Sequence, residues 1–170
     1  MAGLGSANSI AKWNGTTWSI MAGPNADKAT GTYLYGVSCA NPNSCVAVGQ
    51  SFFGEDSPSK AVVERWNGAF WRIVGSDSPS PYFNVLAGVS CTSVASCIAV
   101  GSSATAQTAP ATTLIEQWNG KAFSIVASPN PAGSTRSFLQ GASCATATNC
   151  QTVGGYEAVA SRRTLVERYG

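Results

Sequence analysis

Six cysteines offer the clearest chemistry in this chain of 170 residues. They form three pairs, Cys39 with Cys45, Cys91 with Cys97 and Cys144 with Cys150, each enclosing five residues. Oxidation to a disulfide suits residues that face each other on neighbouring strands, where Cα atoms lie roughly 4.5–5.5 Å apart. Zinc favours about two to four intervening residues, and the chain has no histidine to complete such a site. We therefore expect three local disulfides, with free thiols or a metal centre as the rival readings. Each short loop should contribute about 2–3 kcal/mol. Such bonds imply an oxidising setting, secreted or at the cell surface.

Acid–base chemistry has thinner support. Glu64, Glu116 and Glu167 recur at one position of a repeated phrase, with Ala11 in the first copy. A carboxylate repeated in this way reads as a solvated or cross-strand partner before it reads as a catalyst. Glu55 and Asp56 adjoin in "FFGEDSPS", where solvated loop charge is the simpler reading. No nucleophile motif, phosphate loop or metal-ligand cluster is evident. The chain reads as a non-enzyme without cofactor or metal.

Cysteines and glutamates alike must be positioned by a repeating frame. Trp13, Trp66 and Trp118 recur every 52 or 53 residues, and so do the cysteine pairs. The unit reads L-x-G-[VA]-S-C-x5-C-x-[AT]-V-G, then a variable stretch, then [LV]-[VI]-E-x-W-N-G-x-x-[WF]-x-I, with "LVERYG" as a worn final copy. Short β-prone runs with turns between them predict four antiparallel strands per unit. Asn-Gly between two such runs predicts a type I′ hairpin corner, because both residues tolerate positive φ. The expected fold is all-β, a β-propeller of four-stranded blades of about 52 residues. A strand pair at 9–22 precedes full blades at about 33–75 and 84–127 and a partial blade at 136–170. Residues 1–8 read as a flexible N-terminal segment without the charged and apolar regions of a secretion signal.

The order Leu-x-Gly-Val-Ser-Cys, Cys-x-Ala-Val-Gly, Val-Glu-x-Trp-Asn-Gly-x-x-Trp resembles the WNG-repeat propellers secreted by soil bacteria, actinobacteria in particular. More loosely it is similar to BNR or Asp-box blades, although Asn14, Asn67 and Asn119 stand where an Asp box has its acid. The likeness runs from about residue 9 to 170 and speaks to fold rather than function. BNR-like propellers include sialidases, which gather arginines, a tyrosine and an acid. Arg65, Arg72, Arg136, Arg162, Arg163 and Arg168 are present, but no spacing assembles them.

The strand count is uneven: two, four, four and three. Propellers have about four to eight blades, so three blades per chain suggest six in a homodimer, the N-terminal strand pair of one chain completing the last blade of the other. A β-trefoil-like fold, a three-bladed monomer and a piece of a longer propeller are the alternatives.

Trp13-Asn14-Gly15, Trp66-Asn67-Gly68 and Trp118-Asn119-Gly120 read as structural corners with packed rings, rather than as sugar platforms. Specificity is expected in the variable segments at 23–33, 51–60, 76–84, 102–113, 128–137 and 155–163. There Phe52, Phe53, Tyr82, Phe83 and Tyr156 are candidate ligand-binding aromatics. A lectin-like, carbohydrate-binding role leads, followed by a protein-interaction or self-assembling scaffold, with a glycosidase-like enzyme distant. With 11% charged residues, a net charge of +2 and scattered cations, nucleic acid is not an expected partner. No apolar run approaches the roughly 18 residues of a membrane span.

Overall fold

The computed structural model describes residues 8–54 and 57–170. Of the expected flexible segment, residues 1–7 lie outside the described residues, as do Glu55 and Asp56. Asn8 lies inside them and is buried.

Among the described residues the fold is all-β, with thirteen strands in four antiparallel sheets. Sheet I is the hairpin β1 (Ser9–Trp13) and β2 (Trp18–Ala22). Sheet II runs β3 (Gly31–Asn41), β4 (Ser44–Phe52), β5 (Lys60–Trp66) and β6 (Trp71–Val74), each strand beside the next. Sheet III repeats this order with β7 (Phe83–Ser93), β8 (Ser96–Ala104), β9 (Thr112–Trp118) and β10 (Phe123–Val126). Sheet IV has three strands, β11 (Ser134–Thr146), β12 (Asn149–Ala158) and β13 (Ser161–Tyr169). Strand β3 packs on β7 and β7 on β11, so sheets II, III and IV follow one another in an open row, and the described residues form no closed ring.

The glycines of the repeat explain how neighbouring backbones approach. Register shifts fall between Leu34 and Gly36, Leu86 and Gly88, and Leu139 and Gly141. Opposite each shift stands the glycine of the Cys-x-x-Val-Gly phrase. A Cβ on Gly49, Gly101 or Gly154 would lie 1.8, 1.9 or 2.0 Å from the carbonyl oxygen of Tyr33, Val85 or Phe138. The bulge thus pushes a carbonyl into the space that any side chain would need. Between sheets, a Cβ on Gly88 would lie 2.6 Å from the Gln140 carbonyl oxygen.

Two apolar clusters fill the gaps between sheets. Val46, Val48 and Val63 of sheet II meet Leu86, Val89, Ala99, Leu114 and Trp118 of sheet III. Ile98, Val100 and Ile115 of sheet III meet Leu139, Cys150 and Leu165 of sheet IV. Sheet III is therefore covered on both faces.

All three expected disulfides form, with Cα separations of 3.9, 4.0 and 4.0 Å. Each bridges directly paired residues of the first two strands in its sheet. Such bonds are typical of extracellular proteins. The five residues between paired cysteines are not an open loop, as the sequence suggested. The strands run past the cysteines, leaving two-residue turns at Pro42-Asn43, Val94-Ala95 and Ala147-Thr148.

Candidate functional site

The Trp-Asn-Gly phrase is a corner, but not of the expected type. In the corners of sheets II and III only Gly68 and Gly120 have positive φ, +95° and +93°; Asn67 and Asn119 do not, which excludes a type I′ turn centred on Asn-Gly. Instead each asparagine closes a four-residue turn with its side chain. Asn67 Oδ1 accepts from the backbone of Ala69 and Phe70, and Asn119 Oδ1 from Lys121 and Ala122. Asn14 does the same with Thr16 and Thr17, beside Gly15 at φ +100°. The asparagine amides are thus engaged by their own turns.

The corner tryptophans follow from that geometry. Trp66 Nε1 donates to the Pro42 carbonyl at 3.2 Å, and Trp118 Nε1 to that of Val94 at 3.1 Å. Both are buried, whereas Trp13 in sheet I is 48% exposed. The Arg65 guanidinium of sheet II lies 4.3 Å from the Trp118 ring centre in sheet III. Lys12, in the matching position of β1, stands 5.1 Å over Trp66.

The aligned glutamates are neither solvated nor cross-strand partners. Glu64 and Glu116 are fully buried and Glu167 nearly so. Each accepts a hydrogen bond from a segment flanking the preceding sheet, the one that leaves it for Glu116 and Glu167 and the one that enters it for Glu64. Ser76 Oγ donates to Glu116 at 2.9 Å, helped by the Asp77 N–H at 3.3 Å, and Ser128 Oγ donates to Glu167 at 2.6 Å. For Glu64 the donor is the Asn8 side-chain amide. Burial pushes the Glu64 and Glu116 carboxyls up to about 7 against these hydrogen bonds, and raises Glu167 as well. These carboxyls tie sheets together. The serines escaped sequence reasoning, although both follow the fourth strand of their unit by two residues.

Three of the five candidate ligand-binding aromatics line two clefts. Phe83 and Tyr156 come together in one of about 400 Å³ between sheets III and IV. Phe138, Arg136, Glu157, Arg162 and Arg163 also line it. Arg162 Nε lies 3.2 Å and Arg136 Nη1 3.9 Å from Glu157 Oε1, and the Arg136 guanidinium sits 5.0 Å over the Phe138 ring. Three arginines against one carboxylate leave the cleft cationic. No sequence spacing had assembled this group; the β11–β12–β13 register does, pairing Arg136, Glu157 and Arg162 in one row.

No protein-family model matches the chain, and no curated protein is significantly similar to it.

Phe52 lines the second cleft, about 430 Å³, with Thr30, Gly31, Tyr33 and Tyr35. Its ring meets that of Tyr33 edge-on at 5.8 Å, and the Tyr35 hydroxyl accepts from Gln50 at 2.8 Å. Tyr33 and Tyr35 are 59% and 50% exposed. Tyr35 falls inside the strand motif, so variability could not flag it. Phe53 and Tyr82 line neither cleft. Phe53 lies under Lys60 at 5.5 Å, and Tyr82 is half exposed with its carbonyl bonded to Ser59.

Proposed function

We propose that this protein is a secreted, non-enzymatic glycan-binding module of propeller type, whose ligand seats in the cleft between sheets III and IV. One observation carries the reading: aromatic faces and hydrogen-bonding groups converge there on paired strands. Phe83, Phe138 and Tyr156 provide surfaces on which a pyranose ring can stack, and Arg136, Arg162, Arg163 and Glu157 provide donors and acceptors for hydroxyls or an acid group. Sites of this kind are concave, partly apolar and sparing in polar groups. The excess of arginine favours a saccharide bearing a carboxylate or sulfate.

A binding role is preferred to hydrolysis because glycosidases generally need two carboxyl groups flanking the bond. Glu157 is the single carboxylate among the described residues lining this cleft, and two arginines hold it. The three buried glutamates serve between sheets.

A glycan array tests the reading. Binding should be confined to acidic saccharides, should be competed by free sugar and should fall at least tenfold in Arg162→Ala and Arg163→Ala. An array that stays blank, or release of sugar from bound glycans, refutes it.

A further inference from the structure

The two ends of the row of sheets are the two halves of a contact that the chain makes twice within itself. At each internal junction the cysteine N–H of one sheet donates to the serine hydroxyl of the sheet before it. Cys91 N–H reaches Ser38 Oγ at 3.0 Å, and Cys144 N–H reaches Ser90 Oγ at 3.0 Å. A pair of β-branched apolar residues on the second and third strands packs beneath. That pair is Val48 with Val63 in sheet II and Val100 with Ile115 in sheet III, all at most 3% exposed.

Sheet IV carries the same pair, Val153 opposite Val166, and leaves it 51% and 64% exposed. At the other end, β3 exposes Val37 by 61%, although its counterpart Val89 on β7 is 9% exposed. Tyr33 and Tyr35 flank Val37 and are also open. Exposed apolar surface of this extent marks a contact site. Here the contact partner is written in the chain.

We infer that a second copy of this chain occupies these faces, head to tail. The Val153–Val166 face of one copy covers the Val37 face of the next, and Ser143 Oγ accepts from the Cys39 N–H across the interface. Such a contact joins two different surfaces, so it closes into a ring or continues as an open array. Strand β1 and the partner's β13 match the same third-strand position and cannot both occupy it. Strand β13 is tied to its own chain by Ser128–Glu167 and by the Tyr169 hydroxyl donating to Gln117 at 3.0 Å. The β1–β2 hairpin, two five-residue strands held to sheet II through Asn8–Glu64 and Lys12–Trp66, is the smaller element and gives way, and Arg168 replaces Lys12 over Trp66, as Arg65 stands over Trp118.

Sedimentation of the full chain across a concentration series, under non-reducing conditions, tests this. Assemblies of two or more 17.4 kDa chains are expected. Val37→Glu and Val166→Glu each remove one face by burying a charge in the interface, and each should raise the dissociation constant at least about 100-fold. Both sites are exposed in the single chain, so circular dichroism and melting of the monomer should stay unchanged. The decisive sample is the mixture. Each variant keeps the face that the other has lost, so mixing them should restore a one-to-one dimer and nothing larger. A wild-type chain that remains monomeric overturns the inference. So do variants that associate like wild type, or a mixture that stays monomeric, since a symmetric contact gives that last result. None of these readouts depends on glycan binding.

Discussion

Glutamates buried in the junctions make stability fall as pH rises, opposite to the usual behaviour of paired carboxylates. Glu64 and Glu116 have unfolded-state values near 4.5 and folded values near 7. Between those limits the folded chain holds protons that the unfolded chain has released, so stability declines with rising pH and levels off above the folded value. Each group gives up about 1.4 kcal/mol per pH unit across that window. Both side chains are fully buried, so solvent screening takes little from this, and each contributes a loss of about 3 kcal/mol. At about 2–4 °C per kcal/mol for a chain of this size, the melting temperature should drop by on the order of 10 °C or more from pH 5 to pH 8.

Glu116→Gln isolates one carboxyl's share of this effect. Glutamine keeps an oxygen to accept from Ser76 and cannot ionise. The variant should match wild type near pH 5, exceed it by up to about 3 kcal/mol near pH 8, and show a shallower slope between, with the contributions of Glu64 and Glu167 left in place. Guanidinium titrations followed by tryptophan fluorescence measure this directly, and with no free cysteine the disulfides persist across the range. A wild-type stability that is flat or rising from pH 5 to 8, or a Glu116→Gln slope equal to wild type, would refute the reasoning.

Two further outcomes are expected. Gly101→Ala should destabilise severely, by about 3 kcal/mol or more, because its Cβ would lie 1.9 Å from the Val85 carbonyl oxygen; Gly75→Ala, with nothing within 4 Å, should stay within about 0.5 kcal/mol of wild type by the same titration. Replacing both Cys91 and Cys97 by Ser should cost about 2–3 kcal/mol, read as a lower denaturation midpoint that reducing agent no longer shifts in proportion.

The frame was legible because its signals are local. Strand alternation, turn residues and paired cysteines each act over a few residues, so thirteen strands and three disulfides follow from spacing. Turn type was less legible. Asn-Gly is compatible with a two-residue corner, and nothing in the dipeptide reveals that Asn67 Oδ1 will capture two backbone amides and hold a longer turn. Burial of Glu64 and Glu116 was missed for a different reason. Apolar neighbours such as Val63 and Ile115 do not by themselves tell whether an acid among them is buried, and the groups that donate to these carboxyls belong to another sheet, 40 residues away for Ser76. The arginine cleft is non-local in the same way, since register across three strands places Arg136 beside Glu157 and Arg162.

The Glu64 junction shows what the repeat preserves. By alignment with Ser76 and Ser128, the residue that should satisfy Glu64 is Gly23, which has no hydroxyl. The Asn8 side chain fills that place: a Cβ on Gly23 would lie 1.7 Å from Asn8 Oδ1. Asn8 also donates to the Pro24 carbonyl at 3.1 Å, and its own carbonyl accepts from the Gly23 N–H at 3.0 Å, which pins it beside the carboxyl. The donor has moved from the strand exit to the strand entry, and the glycine is the vacancy that admits it. A carboxyl buried without a donor costs about 1–3 kcal/mol or more, which is reason enough for a donor to persist at each of the three junctions while its residue type and chain position change. What recurs at this place is a hydrogen bond to a buried acid, and an alignment of letters alone sees only a serine lost.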